Sequence, residues 1–240
     1  LWAAVKVNVS GTGNIAQPKI ASGRNHFIAL KGNGTVYTWG YNGYGQLGLG
    51  DNTDRTVPTK INIGNVQDVV AGQYFSMILR KDGTVWASGY NYYGQLGDGT
   101  TTNTNTFHKV KLSNGEGLTN IVQISAGYDT AYALSADGKV YSWGYNAYGQ
   151  YGVNNTTTQY YPVEMQKVSN IIQISAGSQH LLMLDADGTV WTVGYNSDGQ
   201  LGSGNTVSQA LPQKMKDADG VNDLTGVREV AAGGYHSVVI

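Results

Sequence analysis

The sequence predicts an all-β fold, a β-propeller of four-stranded antiparallel blades built from about five repeats. Two marker motifs recur together roughly every fifty residues. Strand-length runs inside each repeat are separated by turn residues. The composition also favours short strands and tight turns over helices, since only 13% of residues are charged and 34 are glycine. We therefore expect residues 1–240 to form a single propeller domain.

The first marker is Val36–Gly48, which returns at 85–97, 140–152 and 190–202. Its glutamine falls at positions 46, 95, 150 and 200, so the steps are 49, 55 and 50. The second marker, a small residue followed by glycine, keeps the same first three steps. It ends at Gly23, Gly72, Gly127, Gly177 and Gly233. Two independent markers with one period indicate tandem repeats.

Within one repeat the pattern predicts the strands in order. Residues Ile121–Ser125 alternate as one strand, Thr130–Leu134 follow as the next, and Val140–Trp143 form a third. An Asp-Gly or Asn-Gly pair, such as Asp137-Gly138, precedes the third strand and predicts a two-residue type I′ hairpin turn. A fourth short strand contains a proline in three repeats, which places it at the outer edge of each sheet. These residues are Pro58, Pro162 and Pro212.

Each repeat needs its neighbours to complete its packing. The third strand carries a large aromatic residue at its second position, and residues two apart share one face of a strand. These aromatic residues are Tyr37, Trp86, Tyr141 and Trp191. A sheet that is apolar on both faces is buried only between other sheets, so the repeats are expected to stack radially.

The combined motif is Ala-Gly-x-x-His, then Asp-Gly-x-Val-Tyr-x-Trp-Gly-x-Asn-x-x-Gly-Gln-Leu-Gly, then Pro. It resembles the repeat of the regulator-of-chromosome-condensation family over about residues 15 to 240. The resemblance implies that the Ala-Gly strands line a central channel. It also implies a ring of seven blades, which family members usually close.

The two ends leave the closure of the ring open. Leu1-Trp2 fits the strand after a hairpin turn, and the chain stops at Ile240 in a strand that matches His26–Leu30. A five-bladed ring could complete its last blade from both termini, or the chain could be an arc of a seven-bladed propeller. Val5 stands where other repeats have glycine, which favours the arc. Because the first residue is not Met, we expect a processed product or part of a longer chain.

Several function classes lack support in the sequence. The formal charge of −1 and the scattered lysines and arginines argue against nucleic-acid binding. No apolar run is long enough for membrane insertion, and cysteine is absent. We expect the loop asparagines and glutamines to bond loop backbone, because Gly-Gln-Leu-Gly lacks the Lys-Ser/Thr of a phosphate loop.

The histidines do not form a convincing metal site. His26, His180 and His236 share one repeat position, but Phe75 and Thr130 occupy it in the other repeats. The aspartates in the long loops lack the spacing of a calcium-binding loop. No set of nucleophile, base and acid can be assembled. The sequence therefore predicts a protein that is not an enzyme, with no cofactor and no metal site.

Tyrosine is the residue type that packing explains least. Many of the 17 tyrosines fall in the loop after the third strand, and stacked blades would bring these loops to one rim. They either cover the seams between blades or form a contact surface for a partner. The predicted partner-binding residues are Tyr41, Tyr44, Tyr90, Tyr92, Tyr93, Tyr145, Tyr148 and Tyr195.

These observations predict a non-catalytic binding or structural module that presents aromatic loops to a protein partner or to copies of itself. The low charge and the wealth of Asn, Thr, Tyr and Gly favour an extracellular or cell-surface setting, as in secreted or surface proteins of microbes. A carbohydrate-binding propeller is the alternative, because exposed Tyr beside Asn and Asp suits sugar stacking. The resemblance also implies a third function, regulation of guanine-nucleotide exchange, although the chain lacks a basic tail.

Overall fold

The computed structural model describes residues 16–240, and over this range the chain consists of eighteen β-strands joined by turns and loops. The expected strand at Leu1-Trp2 and the unusual Val5 lie outside the described residues. No helix in the described part of the chain is long and apolar enough to cross a membrane.

The strands form five antiparallel sheets in chain order, which we call blades 1 to 5. Blade 1 contains β1 (Lys19–Ser22), β2 (His26–Leu30), β3 (Val36–Gly40) and β4 (Arg55–Lys60). Blade 2 contains β5 (Val66–Ala71), β6 (Phe75–Arg80), β7 (Val85–Gly89) and β8 (Thr104–Lys109). Blade 3 contains β9 (Ile121–Ala126), β10 (Thr130–Ser135), β11 (Val140–Gly144) and β12 (Gln159–Glu164). Blade 4 contains β13 (Ile171–Ala176), β14 (His180–Asp185), β15 (Val190–Gly194) and β16 (Gln209–Lys214). Blade 5 has the two strands β17 (Val230–Ala232) and β18 (Ser237–Val239).

The predicted propeller of four-stranded antiparallel blades is confirmed, with each complete blade ordered as first to fourth strand. The three prolines lie in the fourth, outer strands β4, β12 and β16. The first, inner strands contact one another in sequence, from β1 to β5, β9, β13 and β17. The glycine of the second marker immediately follows the inner strand in all five blades, so this motif marks the central axis.

The hairpin between the second and third strands differs from the prediction. In blade 1 the Gly34 amide donates to the Lys31 carbonyl at 2.8 Å, and the Lys31 amide donates to the Thr35 carbonyl at 2.9 Å. Among the turn residues only Gly34 has positive φ, at 81°. The predicted type I′ turn is wrong. The loop between Lys31 and Thr35 has three residues rather than two, and only its glycine adopts the left-handed backbone conformation.

The core lies between blades rather than inside one sheet. At the seam of blades 2 and 3, Phe75, Met77 and Leu79 pack with Ala131 and Trp143 from the next blade, and all of these are buried. Separate clusters fill the other seams. Each blade is therefore stabilised mainly by burial of apolar surface against its neighbours.

A head-to-tail series of backbone hydrogen bonds links the five blades around the axis. The Arg24 amide donates to Gln73 at 3.1 Å, the Gln73 amide to Tyr128 at 2.7 Å, and the Tyr128 amide to Ser178 at 2.9 Å. The Ser178 amide then donates to Gly234 at 3.0 Å. Within residues 16–240, no such bond joins Gly234 to Arg24, so the described series is open between blade 5 and blade 1.

Candidate binding surface

The loop after the third strand is held rigidly by one buried asparagine and one buried glutamine. In blade 2 the Asn91 side-chain amide donates to the carbonyls of Thr100 and Thr102, both at 3.1 Å, and its oxygen accepts from the Leu96 amide at 2.9 Å. The Gln95 side-chain oxygen accepts from the Tyr93 amide at 2.9 Å. The prediction that these residues bond loop backbone is confirmed, and the same pattern occurs at Asn42, Asn146 and Asn196.

These four loops, together with two loops between first and second strands, bring a series of tyrosine rings into continuous contact, which we call the tyrosine arc. Adjacent ring centroids are 4.8 to 6.5 Å apart, and most pairs meet edge to face, the arrangement that aromatic rings prefer. The arc comprises Tyr41, Tyr44, Tyr74, Tyr90, Tyr92, Tyr93, Tyr145, Tyr148, Tyr195 and Tyr235.

The arc crosses every seam between the described blades. Tyr44 meets Tyr90 at 4.9 Å between blades 1 and 2, and Tyr93 meets Tyr145 at 4.9 Å between blades 2 and 3. Tyr148 meets Tyr195 at 4.8 Å, and Tyr195 meets Tyr235 at 6.2 Å. The rings therefore cover the seams and at the same time form one surface, so the two interpretations of the tyrosines are compatible.

All eight tyrosines singled out in the sequence lie in this arc, and two further members were missed. Tyr74 and Tyr235 come from the loop between the first and second strands, not from the loop after the third. At their repeat position the other blades have Asn25, Asp129 and Gln179. The signal that could have found them was the proximity of both loops to the same end of the sheet.

The arc is fixed in place yet accessible. Tyr92 is 64% exposed and Tyr235 is 49% exposed, whereas the other eight rings are partly buried by their neighbours. Partial burial raises the pKa of the Tyr90 and Tyr145 phenols above 10.0, with nearby tyrosines and Asp129 adding to the effect. The phenols are therefore neutral near pH 7 and can both donate and accept hydrogen bonds.

Carboxylates accompany the arc along its length. Asp54 acts electrostatically on Tyr41, Asp129 on Tyr90 and Tyr145, and Asp198 on Tyr235, and each raises the pKa of these phenols. Asp54 and Asp198 are exposed, while Asp129 is partly buried. The arc is thus an aromatic surface with negative charge at its beginning, middle and end.

Asp129 lies at the seam of blades 2 and 3, where the Gln95 side-chain amide donates to one of its oxygens at 3.1 Å. Burial raises the pKa of Asp129 from 3.8 to about 6, and the Gln95 hydrogen bond opposes this shift without cancelling it. No ion pair involves this carboxylate among the described residues.

A cavity of about 810 Å³ opens at the axis, at the same end of the blades as the arc. Its lining consists mainly of small residues that follow the inner strands, together with Arg24, Gln73 and Tyr128. The Arg24 guanidinium lies 6.0 Å from the ring centre of Tyr74, a cation–π contact with the arc. The cavity therefore adds one positive charge and backbone groups to the inner side of the aromatic surface.

Two of the three histidines at the shared repeat position are buried and contact the next blade. His26 Nε2 lies 3.0 Å from Ser76 Oγ, and His180 Nε2 lies 3.2 Å from Ser237 Oγ, in each case a residue of the next blade. Burial lowers the pKa of His26 and of His180 from 6.5 to about 4. Both rings are therefore neutral structural groups near pH 7. The part of the chain that the structure describes contains no group of three or more potential metal ligands.

Comparison with known proteins supports the resemblance found in the motifs. A family model described as "RCC1-like domain" matches residues 4–239. Over 150 residues the chain is 36% identical to the ultraviolet-B receptor UVR8 of Arabidopsis thaliana, which covers 61% of this chain and 33% of that protein. Over 72 residues it is 43% identical to the RCC2 homolog of Danio rerio, covering 29% of this chain and 14% of that protein. The chain thus spans a third or less of these two curated relatives.

The fold is also that of solved structures. The structure of Prp20p from Saccharomyces cerevisiae matches with a TM-score of 0.77 at 22% identity, covering 96% of this chain and 57% of Prp20p. At this identity the match shows the shared propeller fold alone.

The expected extracellular or cell-surface setting is wrong. The RCC2 homolog and the X-linked retinitis pigmentosa GTPase regulator, to which the chain is similar, are intracellular nuclear or cytoplasmic proteins. Low charge and a wealth of Asn, Thr and Tyr misled the prediction, because in a propeller these residues build turns and seams irrespective of the compartment.

Proposed function

The chain belongs to the RCC1-like domain family, and from this premise we propose that residues 1–240 act as one non-catalytic propeller domain that presents the tyrosine arc to a protein partner. The observation that carries the proposal is the continuous contact of ten tyrosine rings across four blade seams. If the tyrosines only covered the seams between blades, a ring as exposed as that of Tyr92 would not be needed.

Tyrosine is suited to this role for physical reasons. Its ring buries a large apolar area with only two side-chain torsions to fix, and its hydroxyl satisfies polar groups at the edge of the contact. Tyr is also among the residues that dominate the binding energy of protein interfaces. The asparagine and glutamine braces hold the loops before binding, which lowers the entropy cost of association.

A protein fits the extent of the arc better than a small ligand does. The arc runs from Tyr41 in blade 1 to Tyr235 in blade 5, so a single sugar would contact only a fraction of it. Prp20p, which shares the fold, has binding properties towards Gsp1p and histones, and this supports a protein as the class of partner. A second copy of the chain and a glycan are the competing ligands.

The test is a Tyr92→Ala/Tyr93→Ser variant in blade 2. Alanine occupies the position of Tyr92 in blade 3, as Ala147, and blade 4 carries the non-aromatic Asp198 at the position of Tyr93, so the loop does not need these rings to fold. The control is Tyr37→Ala, which removes a tyrosine at the other end of blade 1, where Lys31 lies over the ring at 5.6 Å.

We expect a protein partner isolated with the wild-type chain to bind the double variant at least tenfold more weakly by calorimetry, and to bind the control as it binds wild type. Equal binding of the double variant and wild type would contradict the proposal. So would glycan-array binding that depends on Tyr92 and Tyr93 in the absence of any protein partner. A concentration-dependent dimer lost in the double variant would identify a second copy as the partner.

A further inference from the structure

Among the carboxylates that act electrostatically on the tyrosine arc, Asp129 alone is both partly buried and without an ion pair within the described residues. Asp129 lies at the seam of blades 2 and 3, near Tyr90 and Tyr145, and among the described residues its one side-chain donor is the neutral amide of Gln95 at 3.1 Å. A buried carboxylate normally pairs with a cation or accepts several hydrogen bonds, because losing its hydration is costly. Within the described residues, folding supplies only part of this compensation.

The charge at this position is a departure from the repeat. The equivalent residues are Asn25, Tyr74, Gln179 and Tyr235, none of which is negatively charged near pH 7. The other blades therefore build the same loop without a carboxylate. Asp129 is not needed for the loop backbone either, since the bond that holds the next strand uses its main-chain carbonyl, which accepts from the Tyr145 amide at 2.8 Å.

The charges around the arc are unevenly distributed. Asp54 and Asp198 lie near its two ends, and Arg24 lies over Tyr74. Arg55, at the same end of blade 1, is already paired with Asp51 at 2.6 Å. Most lysines are at the opposite end of the blades, in the hairpins and at the ends of the outer strands, as with Lys31, Lys60, Lys109, Lys139 and Lys214.

Resting on the proposed function, we infer that the partner contacts the arc with a cationic segment and that one arginine or lysine side chain of this segment pairs with Asp129 at the seam of blades 2 and 3. Tyr90 and Tyr145 lie close enough to Asp129 to interact with it electrostatically, so their rings are placed to provide cation–π contacts to the incoming side chain. An arginine suits the site best, because its planar group can stack on a ring while donating to a carboxylate.

Pairing at Asp129 makes binding of the cationic segment depend on pH. Burial raises the pKa of the Asp129 carboxyl to about 6 in the free protein. The titratable groups that face it are the phenols of Tyr90 and Tyr145, whose pKa values are raised above 10.0, and Gln95 does not titrate. Between pH 5 and pH 7.5 the carboxyl is therefore the facing group that changes charge.

The test uses NMR titration of the whole chain with short Gly-Ser peptides that carry arginine, with citrulline replacing arginine in a matched peptide and glutamate in a third. We expect the arginine peptide to shift the signals of Tyr90, Tyr145 and Asp129. Its affinity should increase about tenfold from pH 5 to pH 7.5, since the carboxylate must be ionised to pair. Asp129→Asn should remove this increase.

Asp137→Asn is the matched control, because Asp137 lies in a hairpin at the opposite end and blade 1 has Asn33 at the same position. Equal affinity of the arginine and citrulline peptides, or an unchanged pH dependence in Asp129→Asn, would overturn the inference. If the isolated partner is lost on Tyr92→Ala/Tyr93→Ser but binds Asp129→Asn as tightly as wild type, the proposed function stands and the cationic contact is wrong.

Discussion

At the scale of single residues, the charge of partly buried Asp129 is expected to favour binding of a cationic partner and to lower the stability of the free protein. Its equivalents in the other blades are uncharged, and only Gln95 donates to its side chain. Because its pKa is raised on folding, the folded state binds a proton that the unfolded state has lost between about pH 4 and pH 6. Ionised Asp129 therefore opposes folding, and this cost is fully present above pH 6.

Asp129→Asn should consequently stabilise the free protein near pH 7.5, since the amide oxygen can still accept from Gln95 without the cost of a buried charge. We expect the free energy of unfolding to rise by about 1–2 kcal/mol at pH 7.5 and to change little near pH 4. Urea unfolding at the two pH values measures this difference. A variant less stable than wild type at pH 7.5 would show that the charge is compensated within the fold.

The buried histidines have the opposite dependence on pH. Their pKa is lowered on folding from 6.5 to about 4, so the unfolded state binds more protons in this window and stability falls as the pH drops through it. His180→Thr copies Thr130 of blade 3 and should reduce the steepness of this fall, whatever its effect at pH 7. Unfolding free energies measured from pH 7 to pH 4 test this, with His108→Thr as an exposed control that copies Thr59 of blade 1. An unchanged slope would mean that His180 is already charged in the folded protein.

At the scale of elements, the loop after the third strand depends on its asparagine brace. Asn91→Ala leaves the carbonyls of Thr100 and Thr102 and the Leu96 amide without their partner. We expect a loss of about 2–4 kcal/mol in the free energy of unfolding, because several backbone groups lose their hydrogen bonds together. Denaturant unfolding measures the loss.

The matched control for this element is Asn33→Asp in the hairpin of blade 1. Blades 2, 3 and 4 have Asp82, Asp137 and Asp187 at this turn, so the substitution should change the unfolding free energy by less than about 0.5 kcal/mol. If Asn91→Ala were equally harmless, the hydrogen bonds of Asn91 would not be what holds this loop and its tyrosines in place before binding.

At the scale of the whole molecule, one repeat position has different surroundings in different blades. Leu181 in blade 4 is fully buried against blade 3, whereas Phe27 at the equivalent position of blade 1 is 40% exposed and stacks on Trp39 at 5.2 Å. Radial stacking explains the difference, because the described residues place no preceding blade beside blade 1. Blade 5, at the other end of the series of blades, also exposes apolar residues, with Val238 at 50% and Ile240 at 74%.

Leu181→Ala should therefore cost about 2–5 kcal/mol of unfolding free energy, the usual cost of emptying a core position. Phe27→Ala should cost less than about 1.5 kcal/mol, although it removes a larger side chain. Chemical denaturation of the 240-residue chain compares the two variants. Similar losses at both positions would contradict the open arrangement of the described blades.

The sequence predicted the architecture because the evidence for it is periodic. The repeat markers fix the number and order of the strands, and the run of tyrosines after each third strand identifies most of the arc. The sequence analysis did not identify Tyr74, Tyr235 and Asp129, because the repeat position that they share holds a different type of side chain from blade to blade. The pKa of Asp129 depends on a seam that only the assembled blades create. The compartment was mispredicted because composition reflects the turns of a propeller more than its surroundings.

The most direct test of the tyrosine arc as a binding surface is a hydrogen-exchange footprint of the chain bound to its isolated partner. We expect slower exchange on binding in the loops around Tyr44, Tyr93 and Tyr148 together, since the arc joins them into one surface. The hairpins at the opposite end, including Lys31–Gly34 and Asp137-Gly138, should be unaffected. Protection confined to those hairpins or to the outer strands, with the tyrosine loops unchanged, would contradict this role of the arc.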